Sequence, residues 1–284
     1  MSDKYYIGTR EIDGPRQKGD PIRHYFFKSV DTRVHWHDDF EILYVRSGHM
    51  KYHVDDRQIN ISKGDIVIIS PYTLHGGKTH DEKIEISVYV FKPTFLCAEN
   101  GADSISRYFQ PIVKGEKTVP VVISKDKPCH RELAHCLDRV DRAECEQKPA
   151  FELSIRNELS KFFVVLYEND MVKAKTDTPD NSTKSIKKAI TYIEKNYTSK
   201  LTVTELASRC GFSDSYFMSI FKHHTGVSCV TYINQVRISS AVKLLKNTDL
   251  SILEISEQTG FNSVSLFNRT FKKIVGKTPK ELRR

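Results

Sequence analysis

The sequence lacks any uninterrupted apolar run long enough to span a lipid bilayer. Its start, MSDKYYIGTR, has no apolar segment after the positive charge, so we expect neither a signal peptide nor a membrane segment, and a cytoplasmic location. None of the six cysteines has a partner at C-x-x-C spacing. A chain of 284 residues does not need a disulfide framework, so we expect free thiols in a reducing compartment.

The surplus of positive charge is confined to the last third of the chain. Residues 181–284 carry 17 Lys and Arg against 7 Asp and Glu, whereas residues 1–180 carry 27 against 29. A basic segment joined to a nearly neutral one is the charge distribution expected of a nucleic-acid-binding module attached to another domain.

The first third of the chain has the alternating pattern of β-strands. Between about Tyr25 and Phe91, runs rich in Ile, Val and aromatic residues are separated by turn-forming pairs. Several short strands with regular turns predict a small barrel or sandwich. The turn-forming pairs are Ser47–Gly48, Asp55–Asp56, Lys63–Gly64 and Asp81–Glu82.

Two amphipathic helices are predicted after the strands, over about 130–143 and 151–169. Their apolar stripe predicts either a helical hairpin that covers the barrel or a surface that pairs with a second copy of the chain. Residues 173–185, KAKTDTPDNSTKS, contain no apolar residue apart from one alanine, which predicts an interdomain linker. The stripe consists of Leu133, Leu137, Val140, Leu159, Phe162, Phe163 and Leu166.

The last hundred residues contain an internal repeat. The segment LTVTELASRCGFSDSYFMSIFKHHTGVS aligns with LSILEISEQTGFNSVSLFNRTFKKIVGKT. Gly211 matches Gly260, 49 positions later, whereas Phe217 matches Phe267, 50 positions later. One residue is therefore inserted in the turn of the second copy.

Each copy has the sequence features of a helix-turn-helix. Thr202 with Glu205, and Ser251 with Glu254, predict capping boxes at the start of the first helix. A glycine follows where the chain must turn sharply. The second helix is expected to bury two phenylalanines four residues apart and to begin at a polar cap. These residues are Phe217, Phe221 and Ser213 in the first copy and Phe267, Phe271 and either Asn262 or Ser263 in the second.

The segment CVTYINQVRISSAVKLLKN between the copies predicts one connecting helix. Two recognition helices on such a rigid frame can enter successive major grooves, about 34 Å apart, on one side of a duplex. With this connector, the two helix-turn-helix units and the closing GFNSVSLFNRTFKKIVGKTPKELRR, the last hundred residues resemble the DNA-binding domain of the AraC family of bacterial transcription regulators. The resemblance implies a sequence-specific DNA-binding regulator and not an enzyme.

The resemblance also implies which side chains meet DNA. Arg269 is the best candidate for pairing with guanine. The first unit has Ser219 at the matching position, so we expect its readout to rest on Met218 against thymine methyl groups. Lys222, Lys272 and Lys273 are expected to meet phosphates and so to position the protein. The full predicted interface is Ser213, Ser215, Met218, Ser219, Lys222, Ser263, Val264, Ser265, Asn268, Arg269 and Lys272.

The stretch HWHDDFE places His35, His37 and Glu41 within seven residues. If residues 34–45 form one strand, these three side chains share a face, and inside a barrel that face lines the cavity. Their spacing resembles the first motif of cupins, and KGDIVIISPYTLH, ending at His75, resembles the second. The second motif departs from the family pattern, because no glycine follows Pro71 and no asparagine follows His75.

Three uses of His35, His37, Glu41 and His75 remain open from the sequence. We favour a metal-free pocket for a small effector, which is the use that AraC-type regulators typically make of such a domain. The alternative is a metal-dependent cupin sensor or enzyme fused to a DNA-binding module, with the same four residues as ligands. In the third, the histidines only satisfy neighbouring polar groups. His53 and His80 are expected to be ordinary surface histidines.

The expected protein is of the α+β class, with a cupin-like β-barrel and helical hairpin followed by an all-α double helix-turn-helix domain. Residues 1–120 would form the effector-binding barrel, 121–172 the hairpin and dimerisation element, 173–184 the linker and 185–284 the DNA-binding domain. The expected partners are double-stranded DNA, a small polar effector such as a sugar, and a second copy of the chain. RNA polymerase is a further candidate, as for an activator. We expect no cofactor and no membrane contact.

The concentration of basic residues predicts a steep loss of DNA affinity with salt. Contacts between lysines and phosphates release counterions, so the logarithm of the affinity should fall linearly with the logarithm of the salt concentration. Titrating a labelled duplex at several salt concentrations measures the slope, and a flat dependence would contradict an interface rich in phosphate contacts.

Overall fold

The computed structural model describes residues 10–11, 22–28, 30–78, 84–98, 103–175 and 181–283. The predicted turn at Asp81–Glu82 and the histidine at position 80 fall outside these ranges. The six cysteines are free thiols, as expected, and Cys145 alone among them is exposed. No described helix is both long and apolar enough to cross a bilayer.

The strands predicted from the alternating pattern form two antiparallel sheets. In chain order the strands are β1 (Arg10–Glu11), β2 (Ile22–Phe27), β3 (Asp31–His35), β4 (Phe40–Ser47), β5 (His49–Val54), β6 (Arg57–Ser62), β7 (Ile66–Ile69), β8 (His75–Lys78), β9 (Glu85–Phe91), β10 (Lys117–Thr118), β11 (Val122–Ile123) and β12 (Lys173–Ala174). The larger sheet has the order β1-β2-β9-β4-β7-β11 and the smaller β3-β8-β5-β6, while β10 and β12 pair only with each other. The turn at Ser47–Gly48 therefore carries the chain from one sheet to the other.

The larger sheet is buried on both faces. One face packs against the smaller sheet, where Leu43 and Val88 meet Tyr52 in a single core. The other face, which includes Ile42 and Phe91, packs against helices. Burial on both sides explains why β4, β7 and β9 are nearly continuous apolar runs, with all four residues of β7 buried.

The helices of this part cover the outer face of the larger sheet. They are α1 (Ser106–Val113), α2 (His130–Glu146) and α3 (Phe151–Glu168). The whole predicted stripe of α2 and α3 lies in the core shared with the sheet. Of the two alternatives left by the sequence, the stripe thus covers the barrel, and it gives no support for a dimer. The outer side of α3 keeps Leu153 and Val164 exposed.

The segment assigned to the linker is shorter than the sequence suggests. Its first residues form β12, which pairs with β10, and the helix α4 (Asn181–Asn196) already begins at residue 181. The polar residues there lie on an amphipathic helix, whose apolar side starts only at Ile186. Because residues 181–185 contain no apolar side chain, the sequence pattern did not reveal that a helix begins there.

The C-terminal part is entirely helical. Its further helices are α5 (Val203–Cys210), α6 (Asp214–Thr225), α7 (Cys229–Asn247), α8 (Ile252–Gln258), α9 (Val264–Val275) and α10 (Pro279–Arg283). The connector α7 has the predicted bounds. The first unit, α5 and α6, shares a core with α4 and the start of α7. The second unit, α8 and α9, has its own core with the end of α7.

The caps of the two units differ. Ser251 and Glu254 form the predicted capping box, in which each side chain accepts a hydrogen bond from the other residue's backbone amide. In the first unit, Thr202 accepts from the Glu205 amide, but the return bond is absent. The Glu205 carboxylate instead accepts from the Tyr192 hydroxyl at 2.8 Å, so the predicted box there is a single cap.

The capping box predicts a local stability difference. Replacing Ser251 by alanine should lower the opening free energy of α8 by about 1 kcal/mol, because the amide of Glu254 loses its acceptor. Hydrogen exchange of the α8 amides should then accelerate roughly five-fold. Ser265→Ala, at an exposed position in α9, is the control and should leave the exchange rates unchanged. Equal rates in the two variants would contradict the prediction.

Candidate effector site and nucleic-acid interface

The two predicted recognition helices present the expected faces to solvent. Ser213 and Ser263 cap α6 and α9, each accepting a hydrogen bond from an amide three residues on. The phenylalanines that face inward are fully buried. Exposed on the outer faces are Ser215, Met218, Ser219 and Lys222 in α6 and Ser265, Asn268, Arg269, Lys272 and Lys273 in α9, whereas Val264 is half-buried.

The far end of α6 docks on the barrel. His224 is fully buried, and its Nδ1 lies 3.3 Å from the Asp55 carbonyl oxygen while its Nε2 lies 3.1 Å from the Ser182 hydroxyl. His53 is not an ordinary surface histidine, because a Cβ at Gly226 would lie 2.7 Å from its Nε2. The contact thus uses the C-terminal end of α6 and leaves its predicted DNA-binding face exposed.

The four residues predicted for the effector site come together at one end of the barrel. They do not lie on one strand, because β3 ends at His35 and β4 begins at Phe40 in the other sheet. His35 and His75 are direct partners across β3 and β8. His37 lies in the connection between the sheets, and Glu41 projects from β4. A corner of the chain, and not a shared strand face, therefore assembles the group.

The group is buried and closely packed. The relative exposure of His35, His75 and Glu41 is 1% each. The Glu41 Oε2 atom lies 3.3 Å from His37 Nε2 and 3.5 Å from His75 Nε2. The ring centroids of His35 and His75 are 4.4 Å apart, and those of His37 and His75 are 4.8 Å apart.

Burial and mutual charge set the protonation of the group. Burial, reinforced by the neighbouring histidines, lowers the pKa of His35 well below its ordinary value. Burial also opposes charge on His37, but the hydrogen bond and the charge of Glu41 outweigh it and raise the pKa of His37. Burial disfavours the Glu41 carboxylate, yet His75 and His37 hold the pKa of Glu41 well below its usual range. Glu41 is thus ionised at neutral pH.

The strand that carries His35 also contacts the DNA-binding domain. The buried Arg33 guanidinium donates from Nη1 to the Gln235 carbonyl oxygen at 2.6 Å and to the Ser239 hydroxyl at 2.5 Å. The Tyr232 hydroxyl donates to the Val34 carbonyl oxygen at 2.8 Å. The His35 Nδ1, in turn, lies 2.8 Å from the Arg33 carbonyl oxygen. Three successive residues therefore link the histidine group to α7.

A recess lies between the barrel and α4. It has a volume of about 530 Å³. Trp36 and Tyr72 line its barrel side, and their ring centroids are 5.9 Å apart. Its other wall carries four lysines of α4, which are Lys184, Lys187, Lys188 and Lys195. Lys187 also donates a hydrogen bond to the Tyr72 carbonyl oxygen, so the recess is part of the contact between the domains.

The contact between the domains could not be predicted from the sequence. Arg33 and Val34 precede the HWHDDFE stretch, and Tyr232 lies in the predicted connector. Nothing in the sequence around them distinguishes these residues from ordinary core or surface residues. One signal was available for Arg33, because a charged residue that is buried in a strand needs a partner for its charge. The sequence pattern did not indicate that this partner lies on α7.

Two family models match the chain. One, described as an AraC-like ligand binding domain, matches residues 27–159. The other, described as a helix-turn-helix domain, matches residues 206–284. Between them they cover the barrel with its helical hairpin and nearly all of the double helix-turn-helix domain.

The chain is also similar to several named proteins. The chain is 26% identical to the melibiose operon regulatory protein of Escherichia coli (strain K12) over 259 residues, 88% of this chain and 83% of that one. It is 34% identical to the Msm operon regulatory protein of Streptococcus mutans over 134 residues, 47% of this chain and 48% of that one. The crystal structure of ToxT from Vibrio cholerae aligns with 94% of this chain and 98% of its own, at 17% identity and a TM-score of 0.46.

The exposed face of α9 predicts two different effects of substitution. Arg269→Ala should remove discrimination worth about 1–3 kcal/mol at one base-pair position, because a guanine contact is lost. Lys272→Ala, one turn away, should weaken binding to all sequences alike and reduce the salt slope by about one. Binding to a set of single-base site variants separates these effects. A uniform loss for Arg269→Ala would make that residue a phosphate contact instead.

Proposed function

Since the chain belongs to the AraC family of DNA-binding transcription regulators, and not to a family of enzymes, we propose that a small polar effector bound in its barrel controls its occupancy of DNA. The observation that carries the proposal is the path along β3. Within three residues, the chain places one side chain in the polar group of the barrel and two docking contacts on α7.

The coupling works through differential binding. An effector that contacts His35 more favourably in one arrangement of β3 shifts the docking equilibrium of α7 by that difference in free energy, and by no more. Leu74, next to His75, supplies a parallel connection. Leu74 is fully buried in the core shared with α4, α6 and α7. Its backbone amide donates a hydrogen bond to the Asp55 side chain, and the carbonyl oxygen of Asp55 contacts His224.

The effector that we propose is a carbohydrate. The polar end of the barrel offers acceptor atoms from His35, His37, Glu41 and His75, because the Nδ1 of each histidine already donates to a backbone carbonyl oxygen. Acceptors suit a ligand that donates hydrogen bonds from many hydroxyl groups. The name of the melibiose operon regulatory protein supports this ligand class, since that protein is similar along most of its length. The recognition helices bind double-stranded DNA, and activation through RNA polymerase is the outcome that we propose. A protein that regulates transcription works where the DNA is, in the cytoplasm.

We propose a homodimer as the regulatory unit. The predicted apolar stripe packs against the barrel, so we place the contact between the two copies on the outer side of α3. There Leu153 is 66% exposed and Val164 is 49% exposed. Molar-mass measurement by light scattering tests this directly, with Leu153→Ser as the variant that should remain monomeric.

The coupling predicts a specific effect of removing one hydroxyl. A panel of mono- and oligosaccharides is first screened for thermal stabilisation of the full chain, and DNA affinity is then measured with and without the best ligand. In Tyr232→Phe, the factor by which the ligand changes DNA affinity should move toward one, because the bond to Val34 is lost. Tyr197→Phe, which removes a hydroxyl bonded to Ser240 inside the DNA-binding domain, should keep the wild-type factor.

Two results would count against the proposal. If no saccharide stabilises the chain, the carbohydrate assignment is wrong. If Tyr232→Phe and Tyr197→Phe respond alike, the coupling does not run through β3.

A further inference from the structure

The charges around the recess between the barrel and α4 favour an anion there. Its lining contains four lysines and no aspartate or glutamate. Among the described residues, no carboxylate forms an ion pair with any of these lysines. The four ammonium groups therefore leave a local positive charge that nothing in this part of the recess neutralises. They belong to Lys184, Lys187, Lys188 and Lys195.

The lysines lie on one face of α4. Lys188 follows Lys184 by one helical turn, and Lys195 follows Lys188 by two turns. Like charges four residues apart on a helix repel each other and destabilise it, so an anion beside them would be stabilising. Burial lowers the pKa of Lys187, although the charge of Asp55 opposes this shift. A bound anion would offset the loss of hydration that disfavours the charge on this residue.

The opposite wall of the recess consists of two aromatic rings. The ring centroids of Trp36 and Tyr72 are 5.9 Å apart, and the Tyr72 residue is 49% exposed. Tyr72 has a φ of 64°, in the left-handed region. Its amide donates to the His37 carbonyl oxygen at 2.7 Å, and its own carbonyl oxygen accepts from Lys187. A residue other than glycine is costly in this conformation, and such residues are concentrated at ligand-binding sites.

The size and the two walls of the recess suit a small molecule better than a DNA duplex. A volume of about 530 Å³ lies within the usual range for small-molecule sites. The outer surface of a duplex would bring phosphates to the lysines, but it offers no free ring to Trp36 and Tyr72. A small molecule with a ring and a phosphate uses both walls. A phosphate group carries nearly two negative charges at neutral pH, so it suits four lysines better than a carboxylate does.

We propose that this recess binds a phosphorylated ring compound, which is either a sugar phosphate or a nucleotide. The ring stacks against Trp36 and Tyr72, and the phosphate accepts hydrogen bonds from the lysines of α4. The site is separate from the four residues proposed for the effector, and it does not depend on what they bind. Because the barrel supplies the rings and the DNA-binding domain supplies the lysines, the ligand has more contacts in the docked arrangement and therefore stabilises it.

The test uses the fluorescence of Trp36, which is the only tryptophan of the chain and lines the recess. The full chain is titrated with glucose 6-phosphate and with AMP, and separately with glucose, adenosine and inorganic phosphate. At least one of the two phosphorylated compounds should change the fluorescence saturably. It should bind at least about 10-fold more tightly than its unphosphorylated parent or inorganic phosphate, because only it contacts both walls. A response to AMP alone identifies a nucleotide, and a response to glucose 6-phosphate alone identifies a sugar phosphate.

Three variants separate the contributions of charge and ring. Lys184→Gln/Lys188→Gln should bind the responding compound at least about 10-fold more weakly. Lys200→Gln/Lys246→Gln, the matched control, removes two exposed lysines of the same domain outside the recess and should bind as the wild type does. Tyr72→Asn removes the ring with a residue that tolerates the left-handed region. It should weaken binding of the responding compound at least about five-fold but leave the weaker binding of inorganic phosphate unchanged.

Two results would overturn the site. One is the absence of a saturable fluorescence change with both phosphorylated compounds, and the other is equal affinity in the two double variants. The DNA affinity of both double variants is measured alongside at several salt concentrations. A lower affinity and a smaller salt slope for Lys184→Gln/Lys188→Gln, without any fluorescence response, would assign these lysines to phosphates of the duplex instead.

Discussion

The contact between β3 and α7 is the constraint on which the arrangement of the molecule depends. Arg33 is 6% exposed and Val34 is 4% exposed, although both lie in a strand at the edge of the smaller sheet. What covers them is the DNA-binding domain, through Tyr232, Gln235 and Ser239. Val34 and Leu74 of the barrel therefore belong to the core of the first helix-turn-helix unit, whereas the second unit has a core of its own.

The chemistry of this contact favours two distinct states over a gradual one. A hydrogen bond to a charged group contributes about 1.5–3 kcal/mol to stability. A guanidinium that loses such bonds while it is still buried destabilises the protein, because its charge then has neither a partner nor water. Arg33 is stable either docked on α7 or hydrated. Because 1.4 kcal/mol changes an equilibrium constant tenfold, one hydrogen bond gained or lost near His35 suffices to change the docked fraction substantially. His35, the nearest member of the polar group of the barrel, lies two residues after Arg33.

The sequence predicted those parts of the fold that depend on local pattern. The bounds of α7, the serine caps at 213 and 263 and the polar faces of α6 and α9 follow from helical periodicity and capping, which act within a few residues. Residues 34–45 were expected as one strand, because period-two alternation continues through a corner that places β3 and β4 in different sheets. The four residues predicted for the effector site still lie close together, since a corner and a strand both direct them inward. Val34 and Leu74 look like ordinary core residues, and nothing local tells which domain covers them.

Calorimetric unfolding of the full chain tests the shared core most directly. Because the barrel and the first helix-turn-helix unit bury Val34, Leu74 and Tyr232 together, we expect them to unfold in one cooperative transition in the wild type. In Tyr232→Ala, which removes the centre of that core, the transition should divide into separate barrel and helical components. Two independent transitions in the wild type, unchanged in temperature by Tyr232→Ala, would contradict a shared core.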